Sequence, residues 1–450
     1  MENKILKGSI FIGLTKFSLP ILFSLILQAL YGAIDLLMVS HFADEASISA
    51  VSVGSQTMSI ATGIITGLAT GLTVLIGEAI GEKNHRKGRL AIGSSIYILI
   101  PLTILLTLIL TIFSMPLSRA LDAPEDALRL TSNYIFICGL GTIFVVGFNT
   151  LQAIFCGLGD SKTPLLFVFI AALVNILLDY ILINKFQMGA TGAAIATIVA
   201  QAASVIFSLI MIRGRLPFKL NREVFKPNIE LILSLLRLGL PLAIVRMANE
   251  LSYLFVLGLV NRLGVAASAG VGIAEKLILF ILLIPQAYMQ SISAYVAQNN
   301  GAGNKRRANR ALWVGMLSSF TMGALFGLFA IFKGDLLSMI FISDPEIIEL
   351  SHTFLRSSAI ETIILSIAYA FLAFFNGTGH TTFVMLQGVL AAFLVRVPYA
   401  YYSATRPSPS IFNIGMAAAY SAIFMLVSAF IYYVIVINRA RKNKRLDISK

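Results

Sequence analysis

The chain has 450 residues, 58% of them apolar and 12% charged, with a mean hydropathy of +0.87 and a net charge of +13. A soluble domain carries roughly 25% charged residues, and no soluble core of this size hides so much apolar surface, although lipid covers it readily. The apolar residues run in blocks of about 20 or more without the in–out alternation of barrel strands, so the composition excludes a soluble protein and an outer-membrane barrel.

The pattern predicts an all-α integral membrane protein with twelve spans, at 14–39, 47–77, 90–113, 128–157, 164–184, 190–212, 231–260, 265–296, 308–332, 347–376, 381–404 and 411–437. Span 1 carries Pro20, Tyr31 and Asp35; it lacks a small-residue cleavage site and is expected to stay as a helix rather than leave as a signal peptide. Span 4 carries Asn149, span 5 carries Asn175 and Asp179, and span 6 carries Thr197. Cys138 and Cys156 lie in one apolar stretch and read as packing residues, and the four histidines are scattered. There is no Walker motif and no G-x-G-x-x-G opening a helix, so no enzymatic activity, nucleotide-driven step or cofactor is expected.

Charge sets the expected orientation. One alternate set of loops, together with the tail, holds 23 of the 34 basic residues, among them Lys83, Arg86, Lys87, Arg89, Lys305, Arg306, Arg307 and Arg310. The other loops hold six, together with an acidic excess that includes Asp44, Glu45, Asp122, Asp344 and Glu346. The positive-inside rule places the basic set and both termini in the cytoplasm of a cell (plasma) inner-membrane protein. The positive charge is then a topology signal and calls for no nucleic-acid partner.

The second half repeats landmarks of the first at an offset of about 220 residues. Leu19-Pro20 falls beside Leu240-Pro241, the loop from Gly81 falls on the loop from Gly301, and Gly157-Leu-Gly falls on Gly377-Thr-Gly. Six spans per half return the chain to its starting side, so the halves are expected as two parallel, pseudo-symmetric six-helix bundles. The expected organisation is an N-lobe at 1–212, a cytoplasmic linker at 213–230, a C-lobe at 231–437 and a basic tail at 438–450.

Ionisable side chains inside apolar spans are costly and therefore informative. Asp35 has no basic residue within several turns, and Asp179 has only Lys185 at the end of its span. Tyr31 and Asn175 each lie one turn before an aspartate and share its helix face. With Asn149 and Thr197 they supply oxygen donors suited to a hard cation, and Asp35, Asn175, Asp179 and Thr197 are the expected ligands if that cation is Na+. An uncharged reading, in which each aspartate only hydrogen-bonds a neighbouring helix, stands beside this one. Glu250, Glu275 and Glu361 in the second half are ambiguous between coupling, substrate attraction and local pairing with Arg246, Lys276 and Arg356. Pro20 is a candidate hinge whose bending couples to cation binding at Asp35.

These residues resemble the multidrug and toxic compound extrusion (MATE) transporters over nearly the whole chain. The resemblance rests on Leu19-Pro20 ahead of Tyr31 and Asp35, the basic loops after spans 2 and 8, Gly157-Leu-Gly-Asp, Asn175-x-x-x-Asp179 and Gly189-Ala-Thr-Gly-Ala-Ala. It implies secondary antiport of bulky cationic or amphipathic small molecules against Na+ or H+. It also implies an N-lobe cation site at Tyr31, Asp35, Asn149, Asn175, Asp179 and Thr197; another branch uses acids in spans 7, 8 and 10, where this chain has Glu250, Glu275 and Glu361. The alternatives are a flippase for lipid or lipid-linked substrates and a non-transporting membrane protein. Two bundles in one chain enclose a cleft, so a monomer suffices.

Overall fold

The computed structural model describes residues 5–217, 224 and 226–448. Lys4, Lys219, Arg222 and Lys450 lie outside these residues, as do 218–223 and 225 of the expected linker. All regular structure among the described residues is helical: α1 (Ile10–Phe42), α2 (Glu45–Gly81), α3 (His85–Ile112), α4 (Ser114–Ala120), α5 (Glu125–Leu140), α6 (Thr142–Leu158), α7 (Lys162–Asp179), α8 (Gly189–Arg215), α9 (Ile229–Asn261), α10 (Val265–Gly301), α11 (Lys305–Ser338), α12 (Pro345–Gly377), α13 (Thr381–Leu390), α14 (Val397–Ala404) and α15 (Ile411–Ile448). π turns at Tyr180–Lys185 and Ala391–Arg396 continue α7 and join α13 to α14. Eleven described helical stretches are long and apolar enough to cross a bilayer, and a twelfth is added if α5 and α6 are counted as one bent span.

That bend is the main departure from the expected spans. A single helix was expected over 128–157, whereas the chain turns by 52° between Leu140 and Thr142. Gly139 and Gly141 flank the break, and a Cβ on Gly141 would lie 2.1 Å from Ile198. Two weak helix formers, packed where a side chain has no room, account for the kink.

Polar punctuation sets the helix ends. Asp44 accepts a hydrogen bond from the Ser47 N–H at 3.0 Å to cap α2, and Asn84 accepts from the Lys87 N–H at 2.9 Å to cap α3. Gly159, at φ +86°, ends α6 in the left-handed region. Asp160 then accepts from the N–H groups of Lys162 and Thr163 at the start of α7, so this part of the Gly157-Leu-Gly-Asp motif is a helix stop and start. The same left-handed turn recurs 220 residues on at Gly379, φ +81°, after α12. On α3, Ile100, Ile104, Leu108 and Ile112 recur at four-residue spacing and are each about half exposed or more, which gives the lipid-facing stripe expected of a span.

Residue contacts define two compact units. The first comprises residues up to Gly8, Thr15–Arg246 and Ala297–Asn304. Its centre is α2, packed against α3, α5, α6 and α8 around Leu72, Leu75, Ile76, Phe148, Ile154, Phe155 and Phe167. The first half of α9 belongs here because Gly67 and Gly71 of α2 let its backbone approach; a Cβ at those positions would lie 2.3 Å from Ala243 N and 2.7 Å from Gly239 N. The end of α10 joins by the same device, with Gly81 against Gln298 and Gly301 against Glu78.

The second unit comprises Ser9–Leu14, Met247–Val296 and the chain from Lys305. Its centre is α12, packed between α11 and α15. Gly323, Gly327 and Gly334 of α11 face Ser366, Ile363 and His352 of α12, and Gly415 of α15 faces Ser357. Small residues at helix contacts gain close packing where lipid supplies no hydrophobic drive.

A candidate cation site on α1, α7 and α8

Helix α8 can approach α1 closely because its early turns present Ala190, Ala193, Ala194 and Ala196, all fully buried. Two rungs then join the helices. Thr197 donates its hydroxyl to Asp35 Oδ2 at 3.1 Å, and Gln201 donates its amide to the Tyr31 hydroxyl oxygen at 3.3 Å. Tyr31 and Asp35 are one turn apart on α1, as are Thr197 and Gln201 on α8, so an i, i+4 pair meets an i, i+4 pair between antiparallel helices.

Asp179 closes the site from α7 as the last α-helical residue before the π turn at Tyr180. The inserted π residue re-aims side chains around it, a feature common at functional positions. The Asp35 carboxyl faces the side chains of Asp179, Asn175 and Thr197. Asp35 is 5% exposed, and Asn175 and Asp179 are 0% exposed. Asp35 Oδ1, both Asp179 oxygens and both polar atoms of Asn175 have no hydrogen-bonding partner in the protein. Two neighbouring carboxyls in low dielectric cannot both carry an uncompensated charge. Protonation, or a cation held by oxygen donors, relieves that charge.

The structure therefore brings together Tyr31, Asp35, Asn175, Asp179 and Thr197. Asn149 is engaged elsewhere: its Oδ1 accepts from the Thr66 hydroxyl at 3.2 Å and its Nδ2 donates to the Val145 carbonyl at 2.8 Å, tying α6 to α2. Two neighbours escape the sequence reading. Gln201 is legible in hindsight as one turn beyond Thr197. Tyr134 of α5 lies near both aspartates and packs on Gly54, but nothing in its local sequence marks it.

In the second unit Glu361 and Glu275 pair differently from the sequence expectation. Glu361 is engaged by Arg396 from the end of the second π turn, at 3.3 Å, and not by its neighbour Arg356, which is exposed. Arg396 also donates to the Ser252 hydroxyl at 3.3 Å. Glu275 is paired with the Tyr253 hydroxyl, while Lys276 is exposed. Glu250, Glu275 and Glu361 all lie near that hydroxyl. Helical geometry explains the difference: residues one or five apart diverge on a helix surface, so partners come from neighbouring helices. Among the described residues no group of three or more His, Cys, Asp or Glu side chains forms a metal cluster.

Buried acids facing each other inside a bundle of membrane spans are costly and mark a functional position. The MatE family model matches the chain twice, at residues 20–181 and 241–402, and the chain belongs to this family of secondary transporters, which are not enzymes. It is 25% identical over 430 residues to the probable multidrug resistance protein YpnP of Bacillus subtilis, covering 95% of each chain. It is 25% identical over 394 residues to the multidrug export protein MepA of Staphylococcus aureus, covering 85% of this chain and 86% of that one. Among solved structures, a MATE protein crystallised in complex with MaL6 superposes with a TM-score of 0.90 at 18% identity, covering 99% of this chain and all of the other, which shows a shared fold.

Proposed function

We propose that the chain is an antiporter that exports bulky cationic or amphipathic small molecules in exchange for Na+ or H+, with the coupling ion bound at Asp35 and Asp179. The observation that carries this reading is the facing carboxyl pair, in which Asp35 Oδ1 and both Asp179 oxygens are buried with no protein partner. Asp35, Asn175, Asp179 and Thr197 would hold the ion; Tyr31, through Gln201, positions α1 against α8. Asn149 supports the site from behind by fixing α6 to α2.

The multidrug names of the Bacillus and Staphylococcus relatives support drug-like substrates. Glu250 and Glu275, gathered near the Tyr253 hydroxyl, supply negative charge that suits a cationic substrate. The double match to one family model, displaced by 221 residues, supports two like six-span lobes working by alternating access. Pro20 frees the Lys16 carbonyl in α1, and the contact boundary between the two units falls between Leu14 and Thr15, about one and a half turns earlier. Both features support Pro20 as the place where α1 bends when the charge at Asp35 changes. The distribution of basic loops supports a plasma-membrane protein with both termini cytoplasmic, and two lobes in one chain let a monomer suffice. A lipid flippase is less well supported, because Arg396, the base close to the second unit's acids, is committed to Glu361.

Ion binding to the purified chain tests the site. Na+ at fixed pH should raise the thermal stability of the wild type if Na+ is the coupling ion; proton uptake and release without a Na+ effect would mark H+. The reading fails if Asp35→Asn and Asp179→Asn, both monodisperse, bind the ion as the wild type does.

A further inference from the structure

The 221-residue displacement of the family match aligns the two polar clusters residue by residue. Asn175 falls on Arg396, and Tyr31 falls on Ser252. Asp35 and Asp179 fall on Val256 and Ala400, and, with the offset carried on, Thr197 and Gln201 fall on Ala418 and Ala422. The second unit thus keeps a polar contact at the corresponding junction, between α9 and the π turn Ala391–Arg396, and loses both acids of the first.

What stands there instead is a fixed positive charge. Arg396 donates to Ser252 on α9 and to Glu361 on α12, each at 3.3 Å, so one guanidinium ties three elements together. Both members of the ion pair are largely buried, with side-chain exposures of 14% for Arg396 and 11% for Glu361. In the first unit two acids face each other and need a mobile positive charge. In the second, one acid faces a base that cannot leave.

We propose that Arg396 is a tethered cation at the second unit's counterpart of the ion site, so that Glu361 takes no coupling ion and the junction of α9, α12 and the π turn Ala391–Arg396 is held shut by its own guanidinium throughout the transport cycle. Arg396 is on this view a positioning residue acting through Glu361. The inference rests on the reading of Asp35 and Asp179 as the ion site, which assigns coupling to the first unit.

A charge-pair cycle tests it. Arg396→Gln or Glu361→Gln alone leaves one buried partner without compensation, and efflux should fall by about tenfold or more. The double variant Arg396→Gln/Glu361→Gln should recover to within about threefold of wild type, because a neutral pair replaces a neutral-sum ion pair. Its ion-dependence midpoint and pH profile should match the wild type, which a general packing role would not guarantee, and Arg396→Lys should retain part of the activity. The proposal is overturned if the double variant is no better than the worse single, or if it binds fewer coupling-ion equivalents than wild type when purified. Persistence of ion binding in Asp35→Asn/Asp179→Asn would sink the first-unit reading instead, while the rescue in the charge-pair cycle is read independently of it.

Discussion

Thr197 and Asp35 stand 162 residues apart in sequence, yet the threonine hydroxyl lies 3.1 Å from one carboxylate oxygen of the aspartate. The other oxygen of Asp35 is buried with no partner, and the carboxyl faces Asp179 and Asn175. The threonine thereby holds the carboxyl's orientation and leaves its second oxygen free for the ion proposed above. Removing the hydroxyl should cost a charged hydrogen bond worth about 1.5–3 kcal/mol, or roughly ten- to a hundredfold in ion affinity. Thr197→Val is expected to shift the ion-dependence midpoint by that amount, whereas Thr197→Ser stays close to wild type; ion titration of the purified protein reads both.

Gly54 is expected to act on the same site from a distance. A Cβ there would lie 2.3 Å from the ring of Tyr134, which lies near both aspartates. Gly54→Ala must therefore displace the ring or α2, at a cost of about 1–3 kcal/mol. Reduced thermal stability together with weakened ion affinity is the expected result; reduced stability with unchanged affinity would separate Tyr134 from the site.

Pro20→Ala should restore the α1 hydrogen bond to Lys16 and stiffen the helix. Pro20 and Asp35 lie about 22 Å apart along the axis at 1.5 Å per residue, too far for a direct effect on the ligands. Ion affinity should therefore be kept and the turnover rate lowered, as read by equilibrium binding beside initial efflux rates.

Asp44 offers a check on helix capping with a pH sign. The Ser47 N–H and hydroxyl hold its carboxyl below the usual carboxylate range. Its contribution to stability is therefore present above the unfolded value near pH 3.9 and is lost as pH falls through the lower folded value. Asp44→Ala should destabilise the protein by about 1 kcal/mol at neutral pH, with the difference from wild type closing at the acid end of a thermal-unfolding series.

Much of this was legible in the sequence, for physical reasons that can be named. Spans are set by hydropathy over some 20 residues, a signal that needs no tertiary information, and α1, α2 and α7 lie where that signal puts them. Asp35 and Asp179 stand out because lipid makes a lone acid expensive. What was not legible depends on which helices touch. Glu361 has Arg356 close in sequence, but its partner Arg396 arrives from the end of a π turn 35 residues away. Asn149 has the right chemistry and lies among the right spans, yet its amide is spent on Thr66 and Val145. The break at Gly141 comes with close packing of the glycine on Ile198, a neighbour that the local pattern of α5 and α6 does not contain.

The central claim, that ion movement is coupled through Asp35 and Asp179, is tested most directly by dye efflux in proteoliposomes under imposed Na+ and H+ gradients. Wild type should export the dye against one of these gradients, and Asp35→Asn and Asp179→Asn should each lose gradient-driven export while remaining folded and correctly inserted. Normal gradient-driven export by both variants would contradict it.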